Sequence, residues 1–301
     1  MTSPLAQAVA PASATSRLTD YIEIAKPRIA FVVLFTVTVG YILGAEGAWD
    51  LLVWLHTCVG VALAATASNA LNQYIERHSD ARMQRTKLRP IPAGRLAARE
   101  VLVVGLVLGV ISPLYLLFFV NTQTALLTFA TIALYAGAYT PLKSRTAFCT
   151  AVGAIPGALP PVLGFAASGA ALDWRAVVLF SVLFVWQFPH FLAIAWIYKK
   201  DYQTAGLQML PANGKRYVAG CIAVAYALVL IPISMLPKQL GLSGEIYTWT
   251  ALLLGVMYLV ASVKFLLKED ETTARGLLRA SFIHLPVLLF VMTADHIWLL
   301  Q

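Results

Sequence analysis

Charged residues make up only 12% of this 301-residue chain, against 59% hydrophobic ones. Such scarcity excludes an ordinary soluble domain, in which about a quarter of the residues are charged. With a mean hydropathy of +0.76, it indicates a polytopic membrane protein. Cysteine is nearly absent: Cys58, Cys149 and Cys221 stand apart at no metal-ligand spacing, which leaves them as small packing residues. The five histidines form no nucleophilic constellation with Ser or Cys. The first 19 residues, MTSPLAQAVAPASATSRLT, have no apolar core behind a positive charge, so they do not read as a signal peptide, and the single Arg17 argues against a transit peptide. They read as a disordered leader ahead of one membrane domain over 20–301.

What the chain does have is long apolar runs. Crossing ~30 Å of hydrocarbon takes about 20 apolar residues in a helix. Such runs lie near 27–45, 51–71, 101–120, 124–140, 148–167, 176–197, 217–236, 247–267 and 277–298. Lipid offers exposed backbone groups no partner, so the fold class is all-α, a bundle of nine transmembrane helices. The pairs Gly40/Gly44, Gly105/Gly109 and Gly153/Gly157 have the spacing of close helix packing.

Placing the loops alternately on two sides leaves only Arg175 and Lys238, of the 22 Lys and Arg, on the side away from the N-terminus. By the positive-inside rule, the N-terminal side is the cytoplasm and the C-terminus lies opposite; the expected location is a bacterial cytoplasmic (inner) membrane. This asymmetry accounts for the net charge of +8, so no nucleic acid partner is called for. The inner loops, 72–100, 141–147, 198–216 and 268–276, hold nearly all the polar chemistry.

The first of these loops begins NQYIERHSD. If the second span continues as helix, Asn72, Glu76 and Asp80 recur every four residues along one face. Two carboxylates and an amide suit Mg²⁺, which takes the rest of its shell from water and a substrate phosphate. Carboxylates at the hydrocarbon edge are costly and mark function. Arg77, Arg82, Arg85, Lys87, Arg89 and Arg95 in the same segment suit phosphate oxygens. YTPLKSRT adds Tyr139, Lys143 and Arg145. WIYKKDYQTAGLQMLP adds Asp201, with Lys199, Lys200 and Tyr202, at the inner end of the sixth span. The second and sixth spans run the same way, which permits a metal-bridged site between their ends. Two readings stay open for these loops: Lys143 and Arg145 bind phosphate or set topology, and Asp201 holds metal or pairs with a lysine. A diphosphate held at this depth implies an apolar tail in the bundle, hence an isoprenoid diphosphate. Tyr74, Tyr135, Tyr139, Trp186, Phe188, Phe191, Trp196 and Tyr202 are the aromatic faces available to an allylic cation.

The spacing of Asn72, Glu76 and Asp80 resembles the first signature of the UbiA-type intramembrane prenyltransferases, a nine-helix superfamily. DARMQRTKLRPIPAGR, YTPLKSRT, VGAIPGALPPVLG, WQFPHFLAIAW and YKKDYQTAGLQMLP resemble, in order, its branch that farnesylates haem B. The resemblance covers nearly the whole chain after the leader. It implies transfer of farnesyl from farnesyl diphosphate to the 2-vinyl group of haem B, with water addition, giving haem O. It assigns Asn72, Glu76 and Asp80 to Mg²⁺ and diphosphate, with Asp201 as the remnant of a second acidic motif. That motif commonly carries two Asp four residues apart, whereas Ile197 and Ala205 flank Asp201 here, which leaves a second Mg²⁺ in question. The resemblance also brings in His190 of WQFPHF, as an iron ligand or as a hydrogen-bonding partner of another helix. His78 and the neighbouring arginines face diphosphate or the haem propionates, and His284 is a further intramembrane candidate. Haem A synthase or terminal oxidase assembly is the implied recipient of the product. The rival readings are a quinone-precursor prenyltransferase of the same fold and a membrane transporter.

Overall fold

The computed structural model describes residues 16–301, apart from the side chain of Asn213. Among the described residues all regular structure is helical. Within these described residues nine helices are long and apolar enough to cross a membrane: Pro27–Ala45, Leu51–Asp80, Ala98–Phe119, Thr122–Leu142, Cys149–Ala167, Trp174–Ile197, Val218–Gln239, Glu245–Lys268 and Glu271–Leu299, here the first to ninth spans. Their outward surface is apolar, with Phe31, Phe118, Phe129, Trp249, Leu253 and Phe290 all exposed, while Asn72, Glu76 and Asp80 are buried inside. That inversion of the soluble pattern is what lipid selects. The chain is an integral, multi-pass membrane protein.

The helix ends follow local chemistry. Asp50 accepts from the backbone N–H of Leu52 and Val53 at 2.9 and 3.1 Å, Asn121 from Thr124 at 2.8 Å, and Asp270 closes a capping box with Thr273. Prolines start the first span at Pro27 and the second half of the fifth at Pro160. The first and fifth spans cross in backbone contact. A Cβ on Gly40 would lie 1.8 Å from the Pro161 carbonyl oxygen, and one on Gly164 would lie 1.9 Å from that of Val37. Gly44, Gly105, Gly153 and Gly157 are likewise covered, but Gly109 has no heavy atom nearer than 4.0 Å, so its spacing does not mark a contact.

Two features depart from the sequence reading. Residues 1–15 of the expected leader lie outside the described residues, and Ser16 caps a helix, Arg17–Ala25. This helix buries Ile24 against Ala70, Leu96 and Val101. Arg17 and Tyr21 hold Glu100, while Arg95 holds Asp20 and Glu23. Residues 16–19 are thus the cap and first turn of a docked helix rather than the tail of a leader. The basic segment 81–97, read from sequence only as a set of phosphate-binding cations, is also packed against the bundle, with Met83 and Leu96 buried and the Thr86 hydroxyl donating to the Asp80 carbonyl at 3.0 Å.

Candidate active site

The second span continues unbroken to Asp80, which puts Asn72, Glu76 and Asp80 on one face. All three are buried, Asp80 completely. The partner wall is the inner end of the fourth span, where Ala133–Tyr139 is π-helical. A π-turn shifts the side chains that follow it, and here the sequel is Thr140 and Lys143 on the acidic face. Asn72 Nδ2 donates to Thr140 Oγ1 at 3.2 Å, and that hydroxyl donates to the Tyr135 carbonyl at 2.8 Å. Lys143 Nζ lies 2.8 Å from Glu76 Oε1 in an ion pair whose angles fall short of a hydrogen bond. It also sits 4.4 Å over the Tyr139 ring, which rests on Gly153. Arg89 donates to Asp80 Oδ2 at 2.7 Å.

Each acid of the motif therefore faces a cation, yet Asp80 Oδ1 is buried without a hydrogen-bond partner among the described residues. A buried carboxylate oxygen left in this state is costly unless something else binds it. With the Glu76 carboxylate and the Asn72 amide it makes the oxygen set expected for Mg²⁺ completed by water and phosphate. Among the described residues no three His, Cys, Asp or Glu side chains form a ready metal cage. Asp201 is the reason: its Oδ2 accepts the backbone N–H of Arg85 at 3.3 Å. The second and sixth spans are bridged by segment 81–97, not by facing carboxylates. Arg85 also lies over the Tyr198 and Tyr202 rings at 4.8 and 5.7 Å, and Arg82 donates to the Ala205 carbonyl at 2.8 Å.

The other predicted residues divide. Arg77 turns back along its own helix, donating to the Tyr74 carbonyl at 2.7 Å, and His78 beside it is exposed; neither reaches the acidic face. Arg145, Lys87 and Lys200 are exposed. Lys199 sits 4.9 Å over the Trp196 ring and 3.5 Å from the Gly214 carbonyl oxygen. Arg95 serves the docked N-terminal helix instead of a phosphate.

Sequence reasoning missed Lys26. It precedes the first span, its Nζ donates to Asn69 Oδ1 at 3.2 Å, and Asn69 in turn donates to the Ala25 carbonyl at 3.3 Å. Burial, with Arg89 and Lys143 nearby, lowers its pKa to about 8. Burial also works against the charge on Lys143, but Tyr139 and Glu76 outweigh it and hold that pKa above the usual lysine range. The one available sequence signal for Lys26 was a lysine directly before the proline that opens a span.

Above the acids, Ile29, Val33, Val61, Asn69, Tyr135 and Leu163 are among the lining of an apolar cavity of ≈ 200 Å³ between the first, second, fourth and fifth spans. Farther along the sixth span, His190 Nδ1 is 2.7 Å from Ser281 Oγ, which itself lies 2.6 Å from the Leu278 carbonyl oxygen. The serine proton goes to the carbonyl, so the imidazole donates through Nδ1 and keeps a lone pair on Nε2. Trp186 stacks on this ring at 4.9 Å. His190 thus makes an interhelix hydrogen bond and retains a ligating nitrogen, so the two readings of it are compatible. His284 has both nitrogens unpartnered among the described residues, but it is fully buried against Tyr258 and closed to a porphyrin in this conformation.

A profile of the UbiA prenyltransferase family matches residues 33–286. Among curated proteins, the chain is 44% identical over 287 residues to the protoheme IX farnesyltransferase of Solibacter usitatus (strain Ellin6076), covering 92% of this chain and 98% of that one. It is 40% identical to that of Koribacter versatilis (strain Ellin345), covering 98% of each. Among solved structures, a digeranylgeranylglyceryl phosphate synthase aligns over 94% of this chain and 100% of its own with a TM-score of 0.77 at 16% identity. A UbiA homolog from Archaeoglobus fulgidus bound to DMAPP and Mg²⁺ aligns over 92% of this chain and 98% of its own with a TM-score of 0.69 at 14% identity.

Proposed function

This chain belongs to the UbiA prenyltransferase family, and from that premise we infer its reaction: it is a prenyltransferase that moves the farnesyl group of farnesyl diphosphate to the 2-vinyl group of haem B, giving haem O. The observation that carries the mechanism is the pair of contacts Glu76–Lys143 and Asp80–Arg89 directly below an apolar cavity. We assign the diphosphate to the cations and the farnesyl chain to the cavity. On binding, Lys143 and Arg89 exchange their carboxylates for phosphate oxygens, which leaves Glu76, Asp80 and the Asn72 amide to hold Mg²⁺, with Asp201 reaching in if segment 81–97 shifts. When bound, Mg²⁺ neutralises charge on the leaving diphosphate.

The terminal vinyl carbon forms the new bond to farnesyl C1 as the C1–oxygen bond breaks to diphosphate. The rings of Tyr135 and Tyr139, 5.3 Å apart, offer their faces to the allylic cation. Water then adds its oxygen to the cation left beside the porphyrin and loses a proton to the departing diphosphate. His190 Nε2 is the haem iron ligand that turns the 2-vinyl group toward the site, and the half-buried Arg77 and the exposed His78 face the propionates. The acidic face lies on the cytoplasmic side of a bacterial inner membrane, with the product passed to haem A synthase or oxidase assembly. Expression in cells lacking haem O tests the reading. Extracted pigment should contain a haem heavier by a farnesyl group and a hydroxyl, and haem B alone would overturn it.

A further inference from the structure

We propose that Lys26 is a further diphosphate-binding residue, held against Asn69 in the free protein and turning onto phosphate oxygens when substrate enters. The inference rests on the diphosphate reading above. Three observations carry it. The first is backbone strain. Lys26 has φ 50° and ψ 66°, a left-handed conformation that costs a side-chain-bearing residue about 1–2 kcal/mol and that glycine adopts freely. Pro27 disfavours the right-handed helical region for the residue before it, so a break in the helix at this position is dictated locally. The choice of lysine for the turn is not. Strain retained at such a position points to a use for the side chain.

The second is the direction of the side chain. A lysine that only set topology would extend into solvent. Lys26 instead folds inward to an amide oxygen, and no carboxylate pairs with it among the described residues. The charged groups around it are Arg89 from segment 81–97, Lys143 from the end of the fourth span, and Glu76 and Asp80 from the second. Asp20 and Glu23 on its own helix are engaged by Arg95. Among the described residues, three cations therefore face two carboxylates, and the carboxylates already have Lys143 and Arg89. A polyanion is the missing partner of the third.

The third is location. Asn69 lies one turn before Asn72 and lines the apolar cavity, so Lys26 stands where an isoprenoid chain must join its diphosphate. The clasp of Arg17–Ala25 onto Glu100 and Arg95 fixes the approach. Its lowered pKa, about 8, gives a signature. Below pH 8 the ammonium is present in the free protein; above it, substrate must bring the proton in, and affinity falls.

The test compares Lys26→Gly, Lys26→Arg and the parent as purified full-length proteins, measuring KM for farnesyl diphosphate from pH 7 to 9.5, haem affinity by optical titration and thermal unfolding. Lys26→Gly relieves the backbone, so it should unfold no lower than the parent, bind haem equally well and show KM raised about tenfold or more, as for loss of one charge-assisted contact. Lys26→Arg should keep KM near the parent's at pH 7 and stay level where the parent's KM climbs above pH 8, because a guanidinium does not titrate there. An unaltered KM in Lys26→Gly, or the parent's alkaline rise persisting in Lys26→Arg, overturns this inference alone. A parent protein that consumes no farnesyl diphosphate with haem B overturns the underlying reading and this inference with it.

Discussion

At the scale of single residues, Asn72, Glu76 and Asp80 were legible because a four-residue spacing on a continuing helix fixes a common face without tertiary information. Arg77 was not: the next residue on a helix points about 100° away, and it bonds to Tyr74 instead. Lys26 was hidden because its route to the acids depends on a docked helix. Glu76→Gln and Asp80→Asn should each lower kcat/KM at least about 100-fold, on the scale of perturbed metal ligation, with the protein still folded. Near-parental turnover in both at saturating substrate would refute the metal assignment. Lys143→Ala should raise KM for farnesyl diphosphate more than it weakens haem, since its neighbour Glu76 stands on the diphosphate side. Titrations showing the reverse would exchange the two pockets. His190→Ala should change the paramagnetic resonance spectrum of bound haem and slow product formation while leaving KM for farnesyl diphosphate in place. An unaltered iron ligand field would reassign the ligand.

At the scale of elements, apolar run length gave nine spans among the described residues, seven of them within three residues of those observed, while the second helix runs nine residues past its apolar run and the ninth begins six residues before its own, since hydrocarbon thickness constrains the apolar run and not the helix that carries it. The run of small residues shared by the first and fifth spans shows where such patterns inform and where they do not. Gly40 is pressed onto the Pro161 backbone, while a Cβ on Gly109 of the third span would meet only Ile132 Cγ2, at 4.0 Å, and identical spacing cannot separate them. Gly40→Ala should therefore cost about 1–3 kcal/mol or more through overpacking against backbone, and Gly109→Ala next to nothing. Thermal unfolding in detergent checks both, and equal melting of the two variants would mean that this crossing yields. The π-helical stretch Ala133–Tyr139 left no mark in the sequence, although it sets which face Thr140 and Lys143 occupy. Helix Arg17–Ala25 was masked by its Ala- and Ser-rich neighbours; it is held by partners some 80 residues away, such as Glu100.

At the scale of the whole molecule, the uneven distribution of charge pointed to the candidate site before any coordinates. Acids and cations collect at one end of the bundle because only there can they be both hydrated by loops and close to an apolar interior. The same segregation explains the reaction: a charged head and a hydrocarbon tail must be held within one substrate, and Lys143, Arg89 and the cavity beyond Asn69 lie along that axis. What composition could not provide was the second substrate. A porphyrin leaves little trace in a sequence beyond an intramembrane histidine, and His190 becomes informative only through the Ser281 contact that fixes its tautomer. The most direct measurement offers the purified protein farnesyl diphosphate with haem B and an aromatic quinone precursor together, and follows both by mass spectrometry as diphosphate is released. The account predicts that the farnesyl group appears on haem, accompanied by a hydroxyl, and that Glu76→Gln abolishes the signal; farnesyl on the aromatic precursor, with haem B unchanged, would contradict it.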